Sequence, residues 1–234
     1  MSRTALITGA SQGIGRACAV TLSQAGWRVL TLSRKPCTVP GVTHLSIDLT
    51  AADAADAVSA FIAEHTPKSG VISVVHNAAM LIPDSATALD PDILRQTLEL
   101  NVVVPAWLNA ILVPRMAPGS SILYIGSTLS EKAVAGVASY VTSKHAVAGL
   151  MRSTCQDLAG TGIHTACVCP GFTATEMLRT RAGNSDAVLA SLGKMSTFGR
   201  LIEPSEIAAV VKMAAEQPVI NGAMIHANLG QIEH

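Results

Sequence analysis

Thr8-Gly9-Ala10-Ser11-Gln12-Gly13-Ile14-Gly15 closes the apolar run at residues 4–8 and opens a helical period over 14–25. A strand, a glycine turn and a helix in that order bring backbone N–H groups and a helix N-terminus up to a phosphate with no Cβ in the way. Gly9 would make the turn, Gly13 admit the phosphates, and Gly15 let the helix pack closely on the strand. Three glycines alone also describe a plain tight turn. Their place after the first strand of a strand–helix–strand unit favours a nucleotide, cradled by Gly9, Ser11, Gln12, Gly13 and Ile14.

Working outward, short apolar runs predict strands at 4–8, 28–33, 43–46, 71–77, 120–126, 164–169 and 223–227. Helical periods fall near 14–25, 51–65, 90–117, 138–160 and 204–216. Strands alternating with helices at this spacing need parallel pairing and right-handed crossovers. The expected fold is α/β: a Rossmann-type, doubly wound, parallel seven-stranded sheet with helices on both faces. No linker or repeat divides residues 1–234, so a single domain is expected. Residues 34–42 read as a short connection. Residues 172–200 show no clear period and follow the C-terminal end of a strand, which makes them a candidate substrate-binding lid.

Composition narrows the function. The 234 residues carry 16 basic and 16 acidic side chains, 49 % hydrophobic residues and only 3 % aromatics. Ala, Val, Ile and Leu therefore fill the core, as in helices packed on a parallel sheet. Zero net charge speaks against nucleic acid, whose phosphates call for a basic face. His76, Asn77, Asn101 and Asn109 interrupt the most apolar stretches, so no membrane span is expected. Only Arg3 precedes the first strand-like run, which does not resemble a signal peptide, and a cytoplasmic location is expected. The cysteines Cys18, Cys37, Cys155, Cys167 and Cys169 form no CxxC pair and read as reduced, mostly buried thiols. With no HxxH pattern either, no metal is expected.

The second strand ends in Ser33-Arg34-Lys35, where a carboxylate about twenty positions after the glycines would hold an adenosine ribose 2′-OH. Arg34 instead suits a 2′-phosphate through charge-assisted bonds of about 1.5–3 kcal/mol each, and Ser33 would donate to it. A solvated charged turn is the alternative. NADP(H) is thus expected in preference to NAD(H).

Tyr140 and Lys144 stand four apart on a predicted helix, on one face, and Ser127 lies thirteen residues before Tyr140. A phenol, with a reference pKa of about 10, exchanges protons poorly at neutral pH. An ammonium about 4 Å away, at an effective dielectric constant of about 20, contributes about 4 kcal/mol towards the charged form. Lys144 is therefore suited to making Tyr140 an acid–base group, while Ser127 would bond the substrate oxygen. Pro105 has no N–H, so the Asn101 carbonyl loses its helical donor and the helix must bend. That carbonyl would accept from an ordered water between it and Lys144.

The pattern TGxxxGIG, followed in order by Asn77-Ala78-Ala79, Asn101, Ser127, Tyr140-x-x-x-Lys144 and Pro170-Gly171-x-x-x-Thr175, resembles the classical short-chain dehydrogenase/reductase (SDR) family over nearly the whole chain. The resemblance implies that Asp48-Leu49 meets the adenine, although Asp48 would also serve as the N-cap of the next helix. It implies that Asn77, Ala78 and Ala79 border the cofactor and that Pro170 and Gly171 meet the nicotinamide carboxamide. Thr175 would donate to the cofactor, or Thr173 in its place. Tyr140 and Lys144 would serve both cofactor and chemistry, with Ser127 and Asn101 completing the catalytic set. His76 and Ala79 depart from the family's Asn-Asn-Ala-Gly, and Asn228-Leu229 from its Val-Asp-Gly-Gly ending. A homodimer or homotetramer is expected.

These residues imply a reductase passing hydride between NADPH and a ketone or 3-oxoacyl-type carbonyl, reversibly as a secondary-alcohol dehydrogenase. Met80, Leu81, Leu129, Val134, Phe172, Met177 and Leu178 would make its pocket apolar. A non-catalytic NADP(H) sensor and a sugar-nucleotide epimerase-like enzyme are the rival readings.

Overall fold

In the computed structural model, which describes residues 3–232, β1 (Thr4–Thr8) is buried along its whole length. Leu6 points into one core and its neighbours Ala5 and Ile7 into another, so the strand is covered on both sides. The same alternation holds in β5 (Ser121–Ile125), where Ile122 and Tyr124 oppose Leu123 and Ile125. Continuous apolar runs are what such doubly covered parallel strands require.

The other strands are β2 (Arg28–Ser33), β3 (Thr43–Ser46), β4 (Ile72–His76), β6 (His164–Pro170) and β7 (Ala223–Ala227). All seven pair in parallel in the order β3-β2-β1-β4-β5-β6-β7. Strand order reverses between β1 and β4, and a crevice opens there at the carboxyl ends of the strands. One face carries α2 (Ala54–His65), α4 (Val104–Leu112) and α5 (Ala138–Asp157), packed through Val58, Ile62, Leu108, Leu112 and Met151. The other carries α1 (Gly13–Gln24) and α8 (Pro204–Glu216), packed through Leu22, Ile207 and Val211. Each such fully buried side chain contributes about 1.5–3 kcal/mol.

Several expectations need correction. The predicted helix over 90–117 is α3 (Pro91–Leu98), a π turn at Glu99–Val103, then α4. The N–H of Val104 reaches back to the Glu99 carbonyl, and this wider turn absorbs the register change forced by Pro105. With its polar residues included, Pro91–Arg115 is apolar and long enough by composition to cross a membrane. Here its inner side packs on the sheet, with Asn101 and Asn109 hydrogen-bonded internally. Residues 172–200 are not irregular: they hold α6 (Glu176–Arg181) and α7 (Asp186–Gly193), capped by Thr175 and Ser185. Six- and eight-residue helices are too short to show a period in an 11–18-residue window. Asp48 does not cap α2, whose N-cap is Asp53; it accepts from the backbone and hydroxyl of Thr50. Leu229, where the resembling family places a glycine, keeps a left-handed φ of 52°, which costs about 1–2 kcal/mol in a non-glycine residue.

Candidate active site

Gly9 leaves β1 with φ 68°, and a Cβ there would stand 2.9 Å from the Ala78 Cα. The turn is therefore pressed against the chain leaving β4. Asn77 locks the two together: its Nδ2 donates to the carbonyls of Thr8 and Gly9, both at 3.0 Å. The Thr8 hydroxyl accepts from the N–H groups of Asn77 and Ala78. Thr8 was not among the expected site residues, and Asn77 spends its amide on the turn.

One cleft of about 1530 Å³ runs across this edge. Single ligands usually occupy about 300–1,000 Å³, so the volume suits a dinucleotide together with a substrate. At one end lie Ser33, Arg34, Lys35, Asp48 and Leu49. The Ser33 hydroxyl here donates to the Lys35 carbonyl at 2.9 Å. The two hydrogen bonds from Thr50 hold the Asp48 carboxyl below its usual range, and Arg34 adds to this. The middle is walled by Gly9, Ser11, Gln12, Gly13, Ile14, Asn77, Ala78 and Ala79, with Pro170, Gly171, Thr173 and Thr175 opposite. A Cβ on Gly13 would meet the Thr175 methyl at 3.2 Å, so the missing side chain keeps the channel open. Thr175 accepts from the Leu178 N–H and retains its own proton to donate, whereas Thr173 gives its proton to the Gly171 carbonyl.

The far end holds Ser127, Tyr140 and Lys144. Ser127 follows β5 in extended backbone and starts a tight turn, its Oγ accepting from the Leu129 N–H at 3.1 Å. Its hydroxyl proton stays available. Gly126 before it has no room for a side chain, since a Cβ would approach the Cys167 and Cys169 sulfurs at 2.6 and 3.0 Å. The neighbouring Cys169 sulfur, and after it burial, raise the Cys167 thiol, and burial pushes Cys18 up to about 12. Lys144 lies 5.4 Å from the Tyr140 ring centre and donates to the Ile125 carbonyl at 2.7 Å. Among the described residues the Tyr140 hydroxyl has no hydrogen-bond partner in the chain, although the residue is only 9 % exposed. Among the same residues no group of three or more His, Cys, Asp or Glu side chains is arranged to hold a metal ion.

Asn101 stands apart from these three. It is buried and does not line the cleft; its side chain accepts from the Met80 N–H and donates to the Met80 carbonyl and the Ser143 hydroxyl. Ser143 in turn donates to the Tyr140 carbonyl at 2.8 Å. The expected water-binding reading concerned the Asn101 carbonyl; the side chain is a clamp between the loop after β4 and the tyrosine helix. Ser143 was missed, though it directly precedes Lys144. His76 also points away, bonding Asn109 at 2.8 Å in the core, where burial holds its imidazole at about 4 and therefore neutral. Met80, Leu81, Leu129, Val134, Phe172, Met177 and Leu178 all line the cleft and give it an apolar wall. No motif pointed to Arg95, Gln96, Glu99, Arg181 and Gln231, which also line the cleft.

A doubly wound parallel sheet with a dinucleotide-sized crevice at its switch point suits a nucleotide cofactor. The pattern that defines the short chain dehydrogenase family matches residues 3–185, and the chain belongs to that family of nicotinamide-dependent oxidoreductases acting on CH–OH or C=O groups. It is 30 % identical to "Carbonyl reductase family member 4" of Danio rerio, over 96 % of each chain. It is 31 % identical to "NADPH-dependent aldehyde reductase 2, chloroplastic" of Arabidopsis thaliana, over 97 % of this chain and 93 % of that one. The crystal structure of a short chain dehydrogenase family protein from Francisella tularensis superposes with a TM-score of 0.88 at 26 % identity, covering 98 % of both chains.

Proposed function

We propose that this chain is an NADPH-dependent carbonyl reductase that also runs in reverse as a secondary-alcohol dehydrogenase. The reading rests on one observation: Ser127, Tyr140 and Lys144 line the same cleft as the glycine turn, beside an apolar wall. NADPH, when bound, supplies the hydride that adds to the carbonyl carbon. The Ser127 hydroxyl donates to the carbonyl oxygen and fixes it. Tyr140 gives its phenolic proton to that oxygen as negative charge develops there, and in reverse takes it back. Lys144 sets a positive charge beside the reacting oxygens. Asn101 holds the helix that carries the tyrosine and touches no reactant. The apolar wall excludes water and selects an uncharged ketone, a 3-oxoacyl thioester or an aryl or steroid-like ketone being suitable occupants. The segment carrying α6 and α7 supplies Met177, Leu178, Val188 and Leu192 to that wall and acts as its lid.

The preference for NADPH rests on Arg34 and Lys35 at the adenosine end. The name of the Arabidopsis relative supports it. Arg34 is exposed, so its bonds to a 2′-phosphate fall at the weaker end of the charge-assisted range, about 1.5–2 kcal/mol. Replacing it, Arg34→Ser, is expected to raise the KM for NADPH about 10–30-fold while leaving the KM for NADH within about twofold. Steady-state rates with both cofactors and one apolar ketone check this. Equal effects on both cofactors, or a wild-type preference for NADH, would overturn the assignment.

A further inference from the structure

Helix α5 carries both Tyr140 and Lys144, yet its own sequence does not cap it. The N-cap, Val137, offers no side-chain acceptor, and the first turn has no acidic residue. The acceptor comes from elsewhere in the chain. Asp84, in the loop after β4, receives the Ser139 N–H on both carboxylate oxygens, at 3.2 and 3.1 Å. Its own N–H donates to the Gly136 carbonyl at 3.2 Å, and the two segments form a short parallel bridge at Asp84 and Val137. Ser139 is the second residue of the helix, which is where an N-cap side chain normally delivers its bond, and Tyr140 is the third.

We propose that Asp84 is a positioning residue for Tyr140, a cap supplied across space that fixes the first turn of the catalytic helix. The proposal rests on the reductase reading above and adds to it a residue outside the cleft. The loop from Asn77 to Asp84 is fastened at three points: Asn77 to the glycine turn, Met80 to Asn101, and Asp84 to α5. Met80 and its neighbour Leu81 line the cleft, while Asp84 does not. Asp84 thus ties the substrate wall to the tyrosine helix without touching either reactant.

The test compares Asp84→Ala and Asp84→Asn with the native chain and with Tyr140→Phe. Asp84→Ala is expected to lower kcat for an apolar ketone at least 10-fold, with the Kd for NADPH and the KM for ketone both within about twofold. Amide hydrogen exchange at Ser139 and Tyr140 should quicken at least 10-fold in the same protein. Asp84→Asn keeps one acceptor of the same reach and should restore kcat to within about threefold of native. An Asp84→Ala protein with native kcat and native exchange at those amides, whatever its melting temperature, would overturn the proposal. So would Asp84→Asn that performs no better than Asp84→Ala, since the charge and not the cap would then be responsible. If Tyr140→Phe itself keeps native turnover, the reductase reading fails, and the exchange data still decide whether Asp84 holds the helix.

Discussion

Removing one oxygen atom, in Tyr140→Phe, is expected to lower kcat about 10³-fold while leaving the fold and cofactor binding intact. General acid–base catalysis by a positioned side chain contributes about 10²–10⁴-fold, and the middle of that range fits a proton that must reach a developing alkoxide. The separation of effects follows from the structure. The phenol ring is buried against its surroundings and remains in the variant, whereas its hydroxyl has no partner among the described residues. No hydrogen bond among the described residues is lost, so the melting temperature should stay within about 2 °C, since a hydroxyl open to the cleft and free of partners there changes stability by less than about 0.5 kcal/mol. The Kd for NADPH should stay within about threefold, because Lys144 keeps its bond to the Ile125 carbonyl. Single-turnover kinetics with saturating NADPH, together with a thermal melt, make the check. Loss of rate accompanied by a large fall in melting temperature would mean that Tyr140 is structural.

The second large effect is the reverse case, a change remote from the chemistry that disables the cofactor end. In a helix, alanine is preferred to glycine by about 0.8–1.0 kcal/mol, so propensity alone predicts that Gly15→Ala stabilises α1. Sterics decide otherwise. A Cβ at residue 15 would stand 2.4 Å from both the Gly9 carbonyl oxygen and the Asn77 Nδ2, and 3.0 Å from the Ala10 Cα. Two of those three neighbours are backbone, and the third is the amide that fastens the turn to Thr8 and Gly9. Overpacking at such a point costs about 1–3 kcal/mol. Forcing the amide out leaves two further hydrogen bonds unmade at about 1 kcal/mol each. The net loss of roughly 3 kcal/mol lowers the melting temperature by about 6–12 °C for a domain of this size. The Kd for NADPH should rise at least 10-fold, because the displaced turn is the phosphate cradle. A Gly15→Ala protein that melts higher than native and binds NADPH equally well would show that propensity wins.

These two cases illustrate which parts of the molecule could be read from the chain. Apolar runs doubly buried in a parallel sheet are long, uniform signals, and the strands expected at 4–8, 28–33, 43–46 and 223–227 form with those limits. The runs at 71–77 and 120–126 lose a residue at each end, and that at 164–169 gains Pro170. Gly15 was legible because close helix–strand packing forbids a side chain there. The π turn before Pro105 was legible only as a bend, since a missing N–H does not dictate how the helix makes up its register. Helices α6 and α7 were hidden by their brevity. Hydroxyls and amides were the least legible. Ser33, Thr173 and Asn77 each have the right chemistry to meet a ligand, and each gives its proton to a backbone carbonyl within reach. Asp84 could not be found at all, because its partner Ser139 is 55 residues away in the chain and the bond exists only once both segments pack.

The most direct measurement follows the hydride itself. NADPH carrying deuterium at the transferable C4 position is incubated with the native chain and a panel of apolar ketones that includes a 3-oxoacyl thioester, and the products are examined by mass spectrometry and NMR. The account predicts a secondary alcohol with one deuterium on its carbinol carbon for each NADPH oxidised, formed about 10³-fold more slowly by Tyr140→Phe. NADPH held tightly but never oxidised, with no deuterated alcohol from any ketone of the panel, would contradict it and leave a protein that binds the dinucleotide without using it.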